Sequence, residues 1–212
     1  MNYLLSVVIG YILGSVPTAY LILKKSRGLD ITGEGSGNVG AYNSFEVSKS
    51  KTIGALVLLI DALKGLLSVY LIILIFPREF IFVALAIMSA VFSHCFNPWL
   101  NFKGGRGLAT SAGGLILLFP FLLAVWIMIW LIIYLIKKDI IWANLWATIM
   151  SLILVFTTSK IAVNYTFPQA DSVSLVILFS TSLLMLIFIK HIEPLKELMK
   201  SKNIFKMRKI DE

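Results

Sequence analysis

The chain has 212 residues, 58% of them hydrophobic and 14% charged, with a mean hydropathy of +0.90 and a formal net charge of +8. Soluble domains sit nearer half apolar and a quarter charged, so this composition excludes an ordinary water-soluble fold. The positive charge lies beside the ends of apolar runs, where lipid headgroups meet it, which argues against nucleic acid as a partner.

The apolar residues fall into runs near the ~20 residues that cross ~30 Å of hydrocarbon. The first run, 3–23, has no basic segment before it and is too long for a signal core, so it reads as a retained span. Gly10 and Gly14 give it a G-x-x-x-G face, a close helix-packing surface. Runs at 53–76 and 80–99 follow, then 108–119 and 121–136 on either side of Pro120, then 140–158 and 172–190. Residues 191–212 form a basic tail whose part from 196 alternates basic and apolar side chains, a pattern that lies along a membrane interface. No internal repeat and no separate soluble domain is visible, so 1–212 reads as one transmembrane domain.

Sixteen of the nineteen Lys and Arg sit in four places, 24–51, 103–106, 137–138 and 190–209; Lys64, Arg78 and Lys160 lie outside them. The positive-inside rule puts all four on the cytoplasmic face. The stretch from Arg106 to Lys137 must then cross an even number of times, which two short helices turning near Pro120 satisfy. One long tilted helix is the alternative. The first option gives an all-α polytopic membrane protein, a bundle of about seven transmembrane helices, some short, with its N-terminus outside and its C-terminus inside.

Two glycine-rich loops carry the chemistry. The first runs from Gly33 to Asn43, GEGSGNVGAYN, and contains Gly35, Ser36, Gly37, Asn38 and Gly40. It matches G-x-G-x-x-G literally, but a membrane helix stands where a dinucleotide fold needs a strand. Glycines still allow close backbone approach, and successive N–H groups make an anion nest. The second loop carries Lys103, Gly104, Gly105, Arg106 and Gly107, with a helix starting near Leu108 whose N-terminal dipole favours anions. Phosphate is the natural guest of both.

Other polar residues stand near them. Asp61 and Lys64, one helical turn apart inside an apolar run, can neutralise each other and face a bundle interior. His94 beside Cys95 is a weak metal signal without further ligands, and reads better as a hydrogen-bonded structural histidine. His191, at the end of the last run, titrates in a range suited to acid–base work and equally suits a helix-end cation.

Taken together these segments resemble the PlsY family of membrane-embedded glycerol-3-phosphate acyltransferases that use acyl-phosphate. The resemblance rests on Gly14-Ser-Val-Pro-Thr-Ala-Tyr20, Gly35-Ser-Gly-Asn-Val-Gly-Ala41 with Asn43, Asp61-Ala-Leu-Lys-Gly65, and His94 through Phe102-Lys-Gly-Gly-Arg-Gly-Leu-Ala-Thr110. It implies a seven-span bundle with its site on the cytoplasmic face of a bacterial plasma membrane, and no metal or organic cofactor. It implies acyl transfer from acyl-phosphate to the 1-hydroxyl of glycerol-3-phosphate, giving lysophosphatidate and phosphate. Membrane lipids and the soluble phosphate acyltransferase that makes acyl-phosphate are the implied partners.

Under that resemblance His191 is the proton acceptor or orienting group and Ser36 a catalytic neighbour. Gly35, Gly37, Asn38, Gly40, Asn43, Lys103, Gly104, Gly105, Arg106 and Gly107 bind phosphate, and Asp61, Lys64 and His94 support them. The chain departs from the family pattern at four points. Glu46 stands where the family has an arginine, and is expected to repel phosphate unless Lys49 or Lys51 compensates. The stretch Ile140 to Trp146 lacks the family's serine. Pro194 and Glu197 replace an asparagine and an arginine. A catalytically weak or silent member, one that binds a phosphorylated lipid precursor or modulates an active paralogue, is the competing reading.

Overall fold

The computed structural model describes the backbone of residues 1–208 and the side chains of residues 1–200. The first apolar run makes two helices, α1 (Asn2–Ser15) and α2 (Thr18–Arg27), with extended backbone at Val16 (φ −60°, ψ 116°). Pro17 forces this break, because a proline supplies no N–H and disfavours helical backbone in the residue before it. α2 stops at Gly28, whose φ of 69° turns the amides of Gly28 and Leu29 back onto the Lys24 and Leu23 carbonyls. The first loop then leads into α3 (Ala41–Ser48) and α4 (Lys51–Ile75), whose first turn is capped by the Ser50 hydroxyl accepting from the Ile53 N–H.

α5 (Phe80–Cys95) is the hub: Val83, Ala86, Ile87, Ala90 and Val91 are all fully buried. A 3₁₀ turn (Pro98–Leu100) and the second loop connect it to α6 (Leu108–Leu118). The chain breaks again at Phe119-Pro120, and α7 (Pro120–Lys137) and α8 (Ile140–Ala162) form an antiparallel pair. The Asp139 carboxylate opens α8 by accepting from the Ile141 and Trp142 amides. α9 (Val173–Arg208) closes the chain.

Among the described residues six helical segments are long and apolar enough to cross a membrane: Asn2–Arg27, Lys51–Ile75, Phe80–Leu100, Pro120–Lys137, Ile140–Tyr165 and Val173–Lys200. α6 is the short seventh, since eleven residues reach ~16 Å at 1.5 Å each. This is the expected all-α polytopic bundle. Two details differ from expectation. The first run is interrupted, and α9 continues as helix well past residue 190 instead of yielding to a tail there. The proposed interfacial stretch 196–212 lies mostly outside the described side chains.

Small residues set the closest approaches. The Gly10 and Gly14 backbones lie against the Ala86 and Ala90 carbonyls of α5, leaving no space for a Cβ. Gly65 of α4 abuts the Thr110 carbonyl, and Gly113 of α6 abuts the Ala62 carbonyl, so α6 is embedded against α4. α7 buries only Leu122 and turns Ile127, Met128, Leu131 and Leu135 outward, which suits a lipid-facing helix.

Candidate functional site

The two glycine loops meet. The Val39 amide donates to the Gly104 carbonyl at 3.3 Å, and the Gly105 amide donates to the His94 carbonyl at 3.1 Å. Gly105 packs on the His94 ring and Gly104 on the His94 and Cys95 carbonyls, so any larger residue would lift the second loop off the end of α5. Between the loops and α9 lies a hollow of about 580 Å³ open to solvent. Ser36, Gly37, Asn38, Lys103, Gly104 and Arg106 line one side, and Lys190, Glu193, Pro194 and Glu197 the other.

The loops divide the work differently from the sequence reading. Asn43, 3% exposed, spends its side chain on its own loop: Oδ1 accepts from the Ser36 amide at 3.1 Å, and Nδ2 donates to the Glu34 and Asn38 carbonyls, each at 3.0 Å. Asn43 is therefore a brace, not a phosphate ligand. The amides of Gly37 and Gly40 donate to the Glu34 and Asn38 carbonyls, so most of the first loop's nest is closed by its own bonds, and the amides of Gly35 and Asn38 have no partner among the described residues. Gly35 (φ 58°) lies against the Asn43 side chain, and its place, like that of Gly40, is structural. The second loop is more open. Gly107 (φ 82°) precedes α6, and the amides of Gly104, Arg106 and Gly107 have no partner among the described residues. With Arg106 and Lys103 they make an anion cradle at the start of α6.

Burial pulls the Arg106 guanidinium below its ordinary pKa, and the nearby Glu197 carboxylate opposes that shift. Arginine stays charged at neutral pH regardless. Lys190, counted from the sequence only among the basic residues of 190–209, is a third positive group in the hollow. Its Nζ donates to the Cys95 carbonyl at 2.9 Å and lies 4.8 Å from the Phe96 ring centre. The spacing 190, 193, 194, 197 is one helical face, and that periodicity was the available clue.

Behind the cradle sits the buried cluster. Lys64 Nζ donates to Asp61 Oδ1 at 2.7 Å and to the Val16 carbonyl, which the Pro17 break has left without a helical donor. His94 Nδ1 is 3.9 Å from the same carboxylate oxygen. Asn97 Nδ2 donates to the Ser15 carbonyl at 2.7 Å, and Trp99 Nε1 to the Ser15 hydroxyl at 3.2 Å. These contacts tie α4, α5 and the α1–α2 break into one platform beneath Gly105.

His191 does not stand where a proton acceptor would. It is 1% exposed and does not line the hollow. Its Nδ1 is 2.8 Å from the Ile187 carbonyl, which can only accept, so Nδ1 carries the proton. Its Nε2, 3.2 Å from Asn144 Nδ2, accepts from that amide. Asn144 Oδ1 in turn accepts from Trp130 Nε1 at 2.7 Å. Both ring nitrogens are engaged, and His191 locks α9 to α8. Asn144, inside the stretch that lacks the family's serine, supplies the polar partner there. Glu46 also stands apart: it is half exposed, 3.7 Å from Lys49, and outside the hollow, so the expected repulsion of phosphate has no geometric basis.

A second, apolar groove of about 420 Å³ is lined by Leu108, Ser111, Leu115, Leu122, Trp126 and Leu184 among others. Leu108 follows Arg106 by two residues, and Ile187 of the groove precedes Lys190 of the hollow by one turn. Among the described residues no three His, Cys, Asp or Glu side chains cluster to hold a metal ion.

The family model described as glycerol-3-phosphate acyltransferase matches residues 4–201. The chain belongs to the glycerol-3-phosphate acyltransferase family. A glycerol-3-phosphate acyltransferase of Helicobacter pylori is 37% identical to it over 118 residues, 53% of this chain and 53% of that protein. One from Myxococcus xanthus is 42% identical over 115 residues, covering 54% and 59%. The chain spans about half the length of the curated relatives it matches. The crystal structure of PlsY (YgiH), an integral membrane glycerol 3-phosphate acyltransferase, in its glycerol 3-phosphate form, is similar over nearly the whole fold. It gives a TM-score of 0.78 at 27% identity over 95% of this chain and 94% of that chain. The lysphosphatidic acid form of the same protein gives 0.75 at 26% identity.

Proposed function

We propose that this family member transfers a fatty acyl group from acyl-phosphate to the 1-hydroxyl of glycerol-3-phosphate, giving lysophosphatidate and phosphate. One observation carries the reading: a cationic hollow and an apolar groove are lined by neighbouring stretches of chain, Arg106 and Leu108 at the start of α6 and Lys190 and Ile187 on α9, as an anionic headgroup with a long chain requires. The acyl chain lies in the groove, its phosphate at the start of α6, and glycerol-3-phosphate enters the hollow between Lys103, Arg106 and Lys190. The forms in which the similar crystal structure was solved support this choice of acceptor and product. Acyl-phosphate would arrive from the soluble enzyme that makes it.

An acyl-phosphate is an activated mixed anhydride, so holding two anions in attack geometry supplies most of the catalysis. With both nitrogens of His191 engaged, the departing phosphate is the natural acceptor of the hydroxyl proton. The hollow faces the cytoplasm in this reading. Helix alternation brings 24–51, 103–106, 137–138 and 190–200 to one end, while Arg78 and Lys160 fall at the other. The second reading, a weak or silent member, is favoured by Glu193 and Glu197, which set two negative charges against three positive ones in the hollow. Purified protein with long-chain acyl-phosphate and radiolabelled glycerol-3-phosphate separates the two. Lysophosphatidate above a blank supports transfer; binding of glycerol-3-phosphate without product supports the silent member.

A further inference from the structure

Ser111 lies just inside α6, its amide bonded to the Gly107 carbonyl at 2.8 Å, and its side chain lines the apolar groove. It is 3% exposed, and its Oγ has no hydrogen-bond partner among the described residues. Ser68, Ser89 and Ser93 donate to a carbonyl three residues back, whereas Ser6, Ser151 and Ser180, like Ser111, have no partner among the described residues; of these unpaired serines Ser111 is the one that lines the groove. Trp126, the other side chain with a polar atom on the groove wall, donates its indole N–H to Thr148 Oγ1. The Ser111 hydroxyl is therefore a buried orphan in the wall of an apolar groove. Leaving such a group buried and unpaired costs about 1–3 kcal/mol. A ligand that brings an acceptor into the groove would remove that cost.

The position of the orphan says which acceptor. Ser111 is three residues, about 4.5 Å along the axis, beyond Leu108, which starts α6. The free amides of the second loop and Arg106 hold phosphate at that start. In an acyl-phosphate one bridging oxygen separates phosphorus from the acyl carbon, so the carbonyl falls a few ångströms deeper along α6. The hydrocarbon chain then continues into the groove. We infer that the Ser111 hydroxyl donates a hydrogen bond to the acyl carbonyl oxygen and stabilises the negative charge that gathers there during transfer. This rests on the acyl-transfer reading above. In the step, the acceptor's oxygen bonds to the acyl carbon while the carbonyl π pair moves onto the oxygen facing Ser111. That pair re-forms the C=O bond as the C–O bond to phosphate breaks, and the phosphate departs with the bonding pair and the acceptor's proton. Ser111 keeps its own proton throughout.

The test compares wild type, Ser111→Ala and Ser111→Thr in lipid nanodiscs. With acyl-phosphate and glycerol-3-phosphate, Ser111→Ala lowers kcat by about 10- to 100-fold, toward the loss seen when an oxyanion donor is removed. The KM for glycerol-3-phosphate stays within about twofold, and Ser111→Thr recovers most of the rate, as a donor contact requires. A second readout needs no turnover: the ¹³C-carbonyl stretch of a bound acyl-phosphonate, an unreactive analogue, lies at lower frequency in wild type than in Ser111→Ala. A variant with unchanged kcat and an unchanged stretch overturns the inference while transfer stands. A wild type that makes no ester, yet shifts the stretch relative to Ser111→Ala, supports the hydrogen bond and removes the transfer reading alone.

Discussion

Replacing His191 with phenylalanine separates a lock from a base. Phenylalanine keeps most of the volume but removes both ring nitrogens, so the Asn144 amide loses its acceptor and the Ile187 carbonyl loses its side-chain donor. An orphaned buried amide costs about 1–3 kcal/mol. At about 2–4 °C per kcal/mol for a chain of this size, the melting temperature falls by about 2–12 °C. Asn144→Leu alone leaves His191 Nε2 and the Trp130 indole without their partner and costs a similar amount. The double variant His191→Phe/Asn144→Leu removes both orphans of the shared bond, so it is less destabilised than the sum of the singles by about 1 kcal/mol or more. The activity readout is the pH profile of kcat/KM. A positioning residue lowers its height as Lys190 shifts, and leaves its shape unchanged. Loss of a general base would cost about 10²–10⁴ in rate and erase one limb of the profile. Additive destabilisation together with a missing limb would refute the assignment of His191 as a lock.

Three further outcomes follow from the same contacts. Lys64→Met leaves the Asp61 carboxylate buried without its ammonium partner, while the Val16 carbonyl keeps the Thr18 N–H, and destabilises by about 3–5 kcal/mol in detergent unfolding; Asp61→Asn/Lys64→Met recovers part of that loss. Glu197→Gln removes a negative charge facing Arg106 and lowers the KM for glycerol-3-phosphate about two- to fivefold, an effect that shrinks at high salt because Glu197 is exposed. Glu46→Arg changes that KM by less than about twofold, since Glu46 pairs with Lys49 away from the hollow and an exposed pair is worth little; a large drop in KM would return Glu46 to the site.

Much of the fold was legible because membrane solvation writes itself into local sequence. Runs of about 20 apolar residues, the Asp61–Lys64 spacing and the Gly10–Gly14 face each follow from helix periodicity alone. Pro120 gave the break between α6 and α7, whereas Pro17 lay inside a run apolar enough to read through, although the same rule applied to both. The site was less legible because it is built from long-range contacts. The bond from Val39 to Gly104 joins residues 65 apart, and no local pattern announces it. His191 was misjudged because its intrinsic pKa suits a base; its burial against Asn144, 47 residues earlier, decides otherwise. Asn43 has the chemistry of a ligand and is consumed bracing its own loop. Lys190 and Ser111 looked like ordinary helix residues until α6 and α9 were brought together.

Sided cysteine labelling tests the central claim most directly. Ser36→Cys and Lys103→Cys, both at exposed positions, are placed in a background where the buried Cys95 is replaced, and probed with an impermeant maleimide in right-side-out and inverted vesicles. Both sites should react from the cytoplasmic side alone, and glycerol-3-phosphate should slow both reactions. Labelling from opposite sides, or rates indifferent to glycerol-3-phosphate at both positions, would contradict a shared phosphate-binding hollow.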